Sequence, residues 1–215
     1  MTSVVAGLAP VGGARAYCYR CFKPASVCIC ALLPLVANQT HVHILQHPRE
    51  RHRPIGTVRF AQLGLQRCQV EVNAPWTCVP SVLASAPPSG TALLFPSGHA
   101  QALERLPPDQ LPTTLVVLDG TWNHVKGLLW NNPWLHALPH VCLAMPTPSR
   151  YRIRAEPKVH YLSTLEAIVA ALQVLEPETV GLAQLLLAFD AMIDKQIACA
   201  ATSPTRHRNR RPCLG

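Results

Sequence analysis

The chain reads as an α/β protein built on a parallel open sheet, with a small cysteine-rich element ahead of it. Short apolar runs at residues 41–46, 68–72, 91–95, 114–118 and 140–143 alternate with segments of helical spacing, the pattern of a sheet whose strands are joined by crossover helices. The strongest run, Leu115-Val116-Val117-Leu118, passes directly into Asp119-Gly120-Thr121-Trp122. An acid at the carboxyl end of a strand stands where open α/β sheets place their ligands. Cys18, Cys21, Cys28 and Cys30 crowd together near the start.

Composition narrows the class. At 215 residues and 49% hydrophobic content, the chain has enough apolar material for a real core, which excludes a disordered protein. No apolar run approaches the roughly 20 residues that cross a bilayer, and residues 1–16 lack the charged start and apolar stretch of a secretion signal. They read as a flexible leader, and the chain as cytoplasmic. The five cysteines outside the cluster, Cys68, Cys78, Cys142, Cys199 and Cys213, are scattered and odd in number, which speaks for a reducing compartment and against a disulfide framework. The formal charge of +8 falls to +4 without Arg206, Arg208, Arg210 and Arg211 in the last ten residues. Such a tail favours a polyanion, while the body is only mildly basic.

Taken in order, the cysteine element occupies residues 17–38. A strand at 41–46 is followed by a helix at 55–65 and a strand at 68–72. Strands at 91–95, 114–118 and 140–143 are separated by helices at 98–105 and 122–130. Leu162, Leu165, Ile168, Val169, Leu172 and Leu175 fall on one helical face. Pro177 then opens a second helix reaching about Ala200. No internal repeat or coiled-coil heptad interrupts this reading.

Cys18-x2-Cys21-x6-Cys28-x-Cys30 offers four thiolates, the number that satisfies a tetrahedral structural zinc and leaves no open position; the alternative is four reduced, unliganded thiols. Tyr17, Tyr19, Arg20, Phe22 and Lys23 between the ligands suit RNA stacking and phosphate contact or simply pack the knuckle. In Gln46-His47-Pro48-Arg49-Glu50 a histidine and a carboxylate meet Arg49, Arg51 and Arg53, which fits a catalytic or phosphate-binding loop as well as a solvated surface. Residues 145–158 are too long and cationic for a plain connection, and Arg150, Arg152 and Arg154 alternate so as to face one side of an extended segment. Ser163 and Glu166 form a capping box at the start of the amphipathic helix; the same helix end can present N–H groups to an anion. Trp122 suits either stacking on a base or helix packing.

With these pieces in order, the chain resembles the DTW-domain family, the tRNA-uridine aminocarboxypropyltransferases. The matching elements are the Cys18 to Cys30 cluster, His47-Pro48-Arg49-Glu50 with Gly56-Thr57, Phe95-Pro96-Ser97, Asp119-Gly120-Thr121-Trp122, Arg152-Ile153-Arg154 leading to Pro157, and Leu162-Ser163-Thr164-Leu165-Glu166-Ala167. Tyr151 stands where the family more often has a leucine. The resemblance implies a SPOUT-like catalytic domain over residues 39–201, with a knotted carboxyl-terminal region, followed by a basic tail at 202–215. It implies transfer of the 3-amino-3-carboxypropyl group of S-adenosylmethionine to N3 of a uridine in tRNA, with 5′-methylthioadenosine as the other product.

By this resemblance Asp119, Thr121, Trp122, His47 and Glu50 are the catalytic candidates, Asp119 as base or orienting group. Phe95, Pro96, Ser97, Leu118, Gly120, Leu143, Met145, Arg152, Arg154 and Ser163 are candidates for holding the donor. Cys18, Cys21, Cys28 and Cys30 are the zinc ligands. The competing readings are a SPOUT-like RNA methyltransferase, which releases S-adenosylhomocysteine, and a zinc-containing RNA-binding module without catalysis. A monomer is expected.

Overall fold

The structure is a computed structural model that describes residues 16–51, 53, 55–72, 89–144, 149–150 and 162–202. It opens with a two-stranded antiparallel ribbon, β1 (Tyr17–Cys18) and β2 (Lys23–Pro24). Between them Phe22 takes a left-handed φ of 54°, and its N–H closes on the Cys18 carbonyl at 2.8 Å. The ribbon is thus bent back so that cysteines on either side converge.

The body follows as β3 (His41–Gln46), α1 (Val58–Gly64), β4 (Cys68–Val72), β5 (Thr91–Leu94), β6 (Gln101–Ala102), β7 (Thr114–Asp119), α2 (Trp122–Asn131), β8 (His140–Cys142), α3 (Thr164–Leu175) and α4 (Leu182–Thr202). Six strands form one parallel sheet in the order β4-β3-β7-β5-β8-β6. The predicted parallel α/β architecture is therefore observed.

β7 is buried at every position, as expected of a parallel strand covered on both faces. Its side chains alternate between two cores. Leu115 and Val117 join Val42, Ile44 and Phe60 under α1, α3 and α4, whereas Val116 and Leu118 join Leu45 and Leu93 under Val125, Leu128 and Leu129 of α2. This places the Asp119 end of β7 at the seam between the two layers.

Two predicted helices are corrected. Residues 98–105 form the edge strand β6 and a short 3-10 turn at Leu103–Arg105. Parallel pairing with β8 gives that backbone its hydrogen bonds, and Leu103 alone is anchored in the core. The last helix starts at Leu182, not at Pro177, because Gly181 at φ 96° breaks the chain direction just before it. α1 likewise begins at Val58, after a Thr57 cap. The connection from β8 to α3, where a knot would pass, includes residues 145–148 and 151–161, which lie outside the described residues, as do most of the leader and the tail. Among the described residues no helix is long and apolar enough to cross a membrane.

Candidate active site

Parallel register sets Gln46, the last residue of β3, beside Asp119, the last of β7. The Gln46 Nε2 donates to Asp119 Oδ2 at 3.0 Å, and the Thr164 hydroxyl, from the first turn of α3, donates to Oδ1 at 2.6 Å. The Asp119 carbonyl accepts the His47 N–H at 2.9 Å. A carboxylate that is 9% exposed is thereby fixed by two strands and one helix. Gly120 follows because the turn passes tightly under α2: a Cβ there would meet the His124 Cβ at 2.8 Å. Thr121 is the α2 cap, its hydroxyl accepting the His124 N–H at 3.4 Å.

Trp122 lines an open apolar cavity beside the Gly120 turn. Leu94, Phe95, Pro96, Leu118, Gly120, Val125, Leu162, Thr164 and Ala167 line it with Trp122, and Phe95 tilts against the indole with ring centroids 6.4 Å apart. The cavity is open to solvent and small, about 130 Å³. Phe95, Pro96, Leu118 and Gly120, the donor candidates, thus lie around one cavity with Trp122, a catalytic candidate.

Ser97 and Leu143 are not among the lining residues. Leu143 packs on the main core, and the Ser97 hydroxyl lies 2.8 Å from His140 Nδ1. His140 Nε2 faces the Leu135 carbonyl at 3.1 Å, which can only accept, so Nε2 carries the proton and Ser97 donates to Nδ1. Burial lowers the His140 pKa and keeps this tautomer neutral. Ser163 caps α3 through the predicted capping box, its hydroxyl accepting the Glu166 N–H. Met145, Arg152 and Arg154 lie outside the described residues.

Asp119 itself lines a polar cavity with Glu50, Arg53, Gly56 and Thr57, and that cavity shares Gly120 and Thr164 with the first. His47 stacks on His124 with ring centroids 3.8 Å apart and planes 5° from parallel. Glu50 Oε2 pairs with Arg53 Nε at 2.9 Å, and Oε1 lies 3.2 Å from His124 Nδ1. The latter two atoms are close enough for an ion pair but not aligned for a hydrogen bond. Burial lowers the His47 pKa, with His124 and Arg49 adding to it and Glu50 opposing it. Beyond Glu50 and Arg53 a third cavity, lined by Lys23, Arg51 and Arg59 among others, carries four cations against one carboxylate.

The cysteine element closes that third cavity. The four Sγ atoms lie within 4.8 Å of one another, with Cys18–Cys30 and Cys21–Cys28 both at 3.7 Å. A tetrahedral zinc with Zn–S near 2.3 Å sets sulfurs about 3.8 Å apart, so the geometry fits the predicted ion. Backbone N–H groups of Cys21 and Arg20 lower the Cys18 thiol to about 6. Burial and the neighbouring sulfurs raise Cys30 to about 12. An ion would have to displace that proton.

Sequence reasoning missed Gln46, Thr164 and His124. Gln46 reaches Asp119 only through strand register, and Thr164 is hidden beside the stronger capping signal of Ser163. His124 had one available signal, its place on the same helical turn as the Asp119-Gly120-Thr121-Trp122 motif.

Fold and site together define a parallel α/β protein with a strand-end site and a cysteine element beside it. Residues 15–197 match the DTW domain model, and the chain belongs to that family. It is 34% identical over 170 residues to a Macaca fascicularis protein named tRNA-uridine aminocarboxypropyltransferase 2, and 36% identical over 170 residues to the Mus musculus protein of that name; both alignments cover 75% of this chain and 57% of the relative. A Drosophila melanogaster protein of the same name is 36% identical over 172 residues, covering 75% of this chain and 67% of its own length. The chain therefore spans little more than half the length of the two mammalian relatives. No solved structure matches it.

Proposed function

We propose that this chain transfers the 3-amino-3-carboxypropyl group of S-adenosylmethionine to N3 of a uridine in tRNA, releasing 5′-methylthioadenosine. The observation that carries the reading is the position of Asp119, which lines a polar, cation-flanked cavity that shares Gly120 and Thr164 with an apolar aromatic one. The relatives' names support aminocarboxypropyl transfer to a tRNA uridine; the donor and the N3 position belong to this reading.

Phe95, Pro96, Leu118, Gly120 and Trp122 hold the donor's adenosine and sulfur by stacking and apolar contact. When bound, the donor supplies an electrophilic carbon whose bond to a sulfonium breaks to leave a neutral thioether. The N3 proton must leave as the nitrogen attacks that carbon. Asp119, oriented by Gln46 and Thr164, receives it. Much of the acceleration comes from alignment of nitrogen, carbon and sulfur across the Gly120–Thr164 boundary. His47 and Glu50 border the uridine, while Arg49, Arg51 and Arg53 take backbone phosphates. Arg152 and Arg154 pair with the donor carboxylate or the RNA, and the basic tail assists tRNA binding. The four cysteines hold a structural zinc, the sheet is the core of a SPOUT-like knotted domain, and the protein works as a cytoplasmic monomer.

The test is incubation of the full chain with unmodified tRNA transcript and S-adenosylmethionine. Methylthioadenosine together with an aminocarboxypropyl-uridine mass supports the reading. S-adenosylhomocysteine with a methylated nucleoside, or tRNA binding indifferent to S-adenosylmethionine with no product, overturns it.

A further inference from the structure

Three aromatic rings of the cysteine element belong to neither hydrophobic core. Tyr19 is 82% exposed, Tyr17 44% and Phe22 39%, and all three fall within six residues of chain. The interior of the element is filled instead by Cys21, Val27 and Ile29. Packing the knuckle is therefore not what these rings do. A single exposed ring is ordinary on a protein surface, but three together form an apolar patch that water covers at a cost, the mark of a surface kept for a partner.

Tyr17 and Tyr19 alternate along the ribbon, and their rings meet edge to face with centroids 5.8 Å apart and planes at 73°. Phe22, at the end of the turn, lies under the Arg59 guanidinium at 4.3 Å, and Arg59 Nε donates to the Arg20 carbonyl at 2.9 Å. Phe22 and Arg59 both line the basic cavity with Arg51 and Arg53, and that cavity shares Glu50, Arg53 and Gly56 with the polar one that Asp119 lines. Arg20, Arg51 and Arg53 are exposed. Rings and cations thus run from the ribbon to the edge of the reaction site.

A ring face can stack only on a base that has left its own helix, since bases inside a stem already cover one another. Arginines alongside take the phosphates of the same strand. An acidic peptide would match the cations and the +8 charge of the chain but leave the rings without a stacking partner. On the tRNA reading proposed above, we infer that Tyr17, Tyr19 and Phe22, with Arg51 and Arg53, form a binding surface for the unpaired nucleotides that flank the target uridine. The rings hold those bases open while the cations hold their backbone, which favours a uridine in a loop over one in a stem. Stacking of this kind accepts any base, so the surface selects RNA shape and not sequence.

The test is the affinity of the full chain for a single-stranded oligouridylate of about 12 nucleotides, for an RNA duplex of equal length and for unmodified tRNA transcript, followed by fluorescence anisotropy. Tyr17→Ala combined with Tyr19→Ala should weaken oligouridylate binding by about 5- to 150-fold, the worth of one stacked base. The salt slope of binding should stay as it is, because no phosphate contact is lost. Tyr19→Phe, which keeps the ring, should bind like wild type. Duplex affinity and S-adenosylmethionine binding should not move in any of these variants. A folded double variant that binds oligouridylate as tightly as wild type, or that loses duplex and oligouridylate affinity equally, overturns the proposal. So does a loss of self-association in sedimentation with RNA affinity intact, which would give the rings to a second copy of the chain. Product formed from tRNA by wild type, with RNA binding untouched by the ring changes, refutes the surface alone; a wild type that neither forms product nor binds tRNA takes the transferase reading down with it. Should the double variant fail to fold, Tyr19→Ala, at the most exposed of the three rings, decides.

Discussion

The two cavities that meet at Gly120 and Thr164 are built from opposite materials. On the α2 side Phe95, Pro96, Leu118 and Trp122 offer ring faces and apolar edges with hardly a charge among them. On the β3 side Glu50 and Arg53 line the adjoining space, and Lys23, Arg51 and Arg59 line the cavity beyond it. Only Gly120 and Thr164 border both the apolar and the polar space. On the proposed reading, the carboxyl end of the sheet separates a partner recognised by stacking from one recognised by charge, with one oriented carboxylate on the polar side.

The largest effect should come from the oriented carboxylate on the polar side. Asp119→Asn keeps the volume and an acceptor for Gln46 or Thr164, so the fold should survive; removing a proton acceptor costs about 10²- to 10⁴-fold in rate. A steady-state assay showing turnover within a few-fold of wild type would remove Asp119 from the chemistry. Alanine is a poorer probe there, because it strands both donors in a buried site.

Gly120→Ala comes next. The new methyl must push the His124 Cβ, 2.8 Å away, and overpacking of this kind costs about 1–3 kcal/mol. A drop in thermal midpoint together with weaker binding on both sides is expected. An unchanged midpoint would show that α2 yields freely and that the two cavities are not rigidly coupled.

Single-wall substitutions should then dissociate the partners. Trp122→Ala is expected to weaken S-adenosylmethionine binding by roughly 10-fold, the value of one aromatic contact, and to leave tRNA affinity alone. Arg51→Ala should do the converse, lowering tRNA affinity a few-fold and reducing the salt slope by about one phosphate contact. Titrations in which both variants lose the same partner would collapse the distinction between the cavities.

The smallest expected effect is on pH. Burial depresses the folded-state pKa of His43 and His140 below the ordinary value, so the folded chain binds fewer protons than the unfolded one. Their contribution is fully present above the unfolded value of about 6.5 and is lost as pH falls through it toward the lowered folded values. Melting curves between about pH 7.5 and 5.5 should show the midpoint falling with acidification. A midpoint that rises would mean these rings gain protons on folding.

Much of this was legible in the chain because strand and helix periods differ. β3 and β4 fall on the predicted ranges, and β7 runs one residue further, to Asp119 itself. Residues 98–105 misled because a short segment with a buried Leu103 and no cap has no period long enough to tell a helix turn from an edge strand. Pro177 suggested a helix start, but the direction change at Gly181 outweighs it. At the site, Asp119 and Trp122 were readable from the turn that ends a strand, while Phe95, Pro96 and Leu118 came from the family resemblance. Gln46 was not, since its role exists only once β3 and β7 pair in register.

The transferred group is the claim on which the rest depends. S-adenosylmethionine carrying one label in the carboxyl of its amino-acid arm and another in its methyl should be incubated with the full chain and tRNA transcript, and the RNA then counted for both. The account predicts that the carboxyl label enters the RNA while the methyl label stays with the small-molecule thioether. Methyl label in the RNA, with the carboxyl label left in solution, would contradict it.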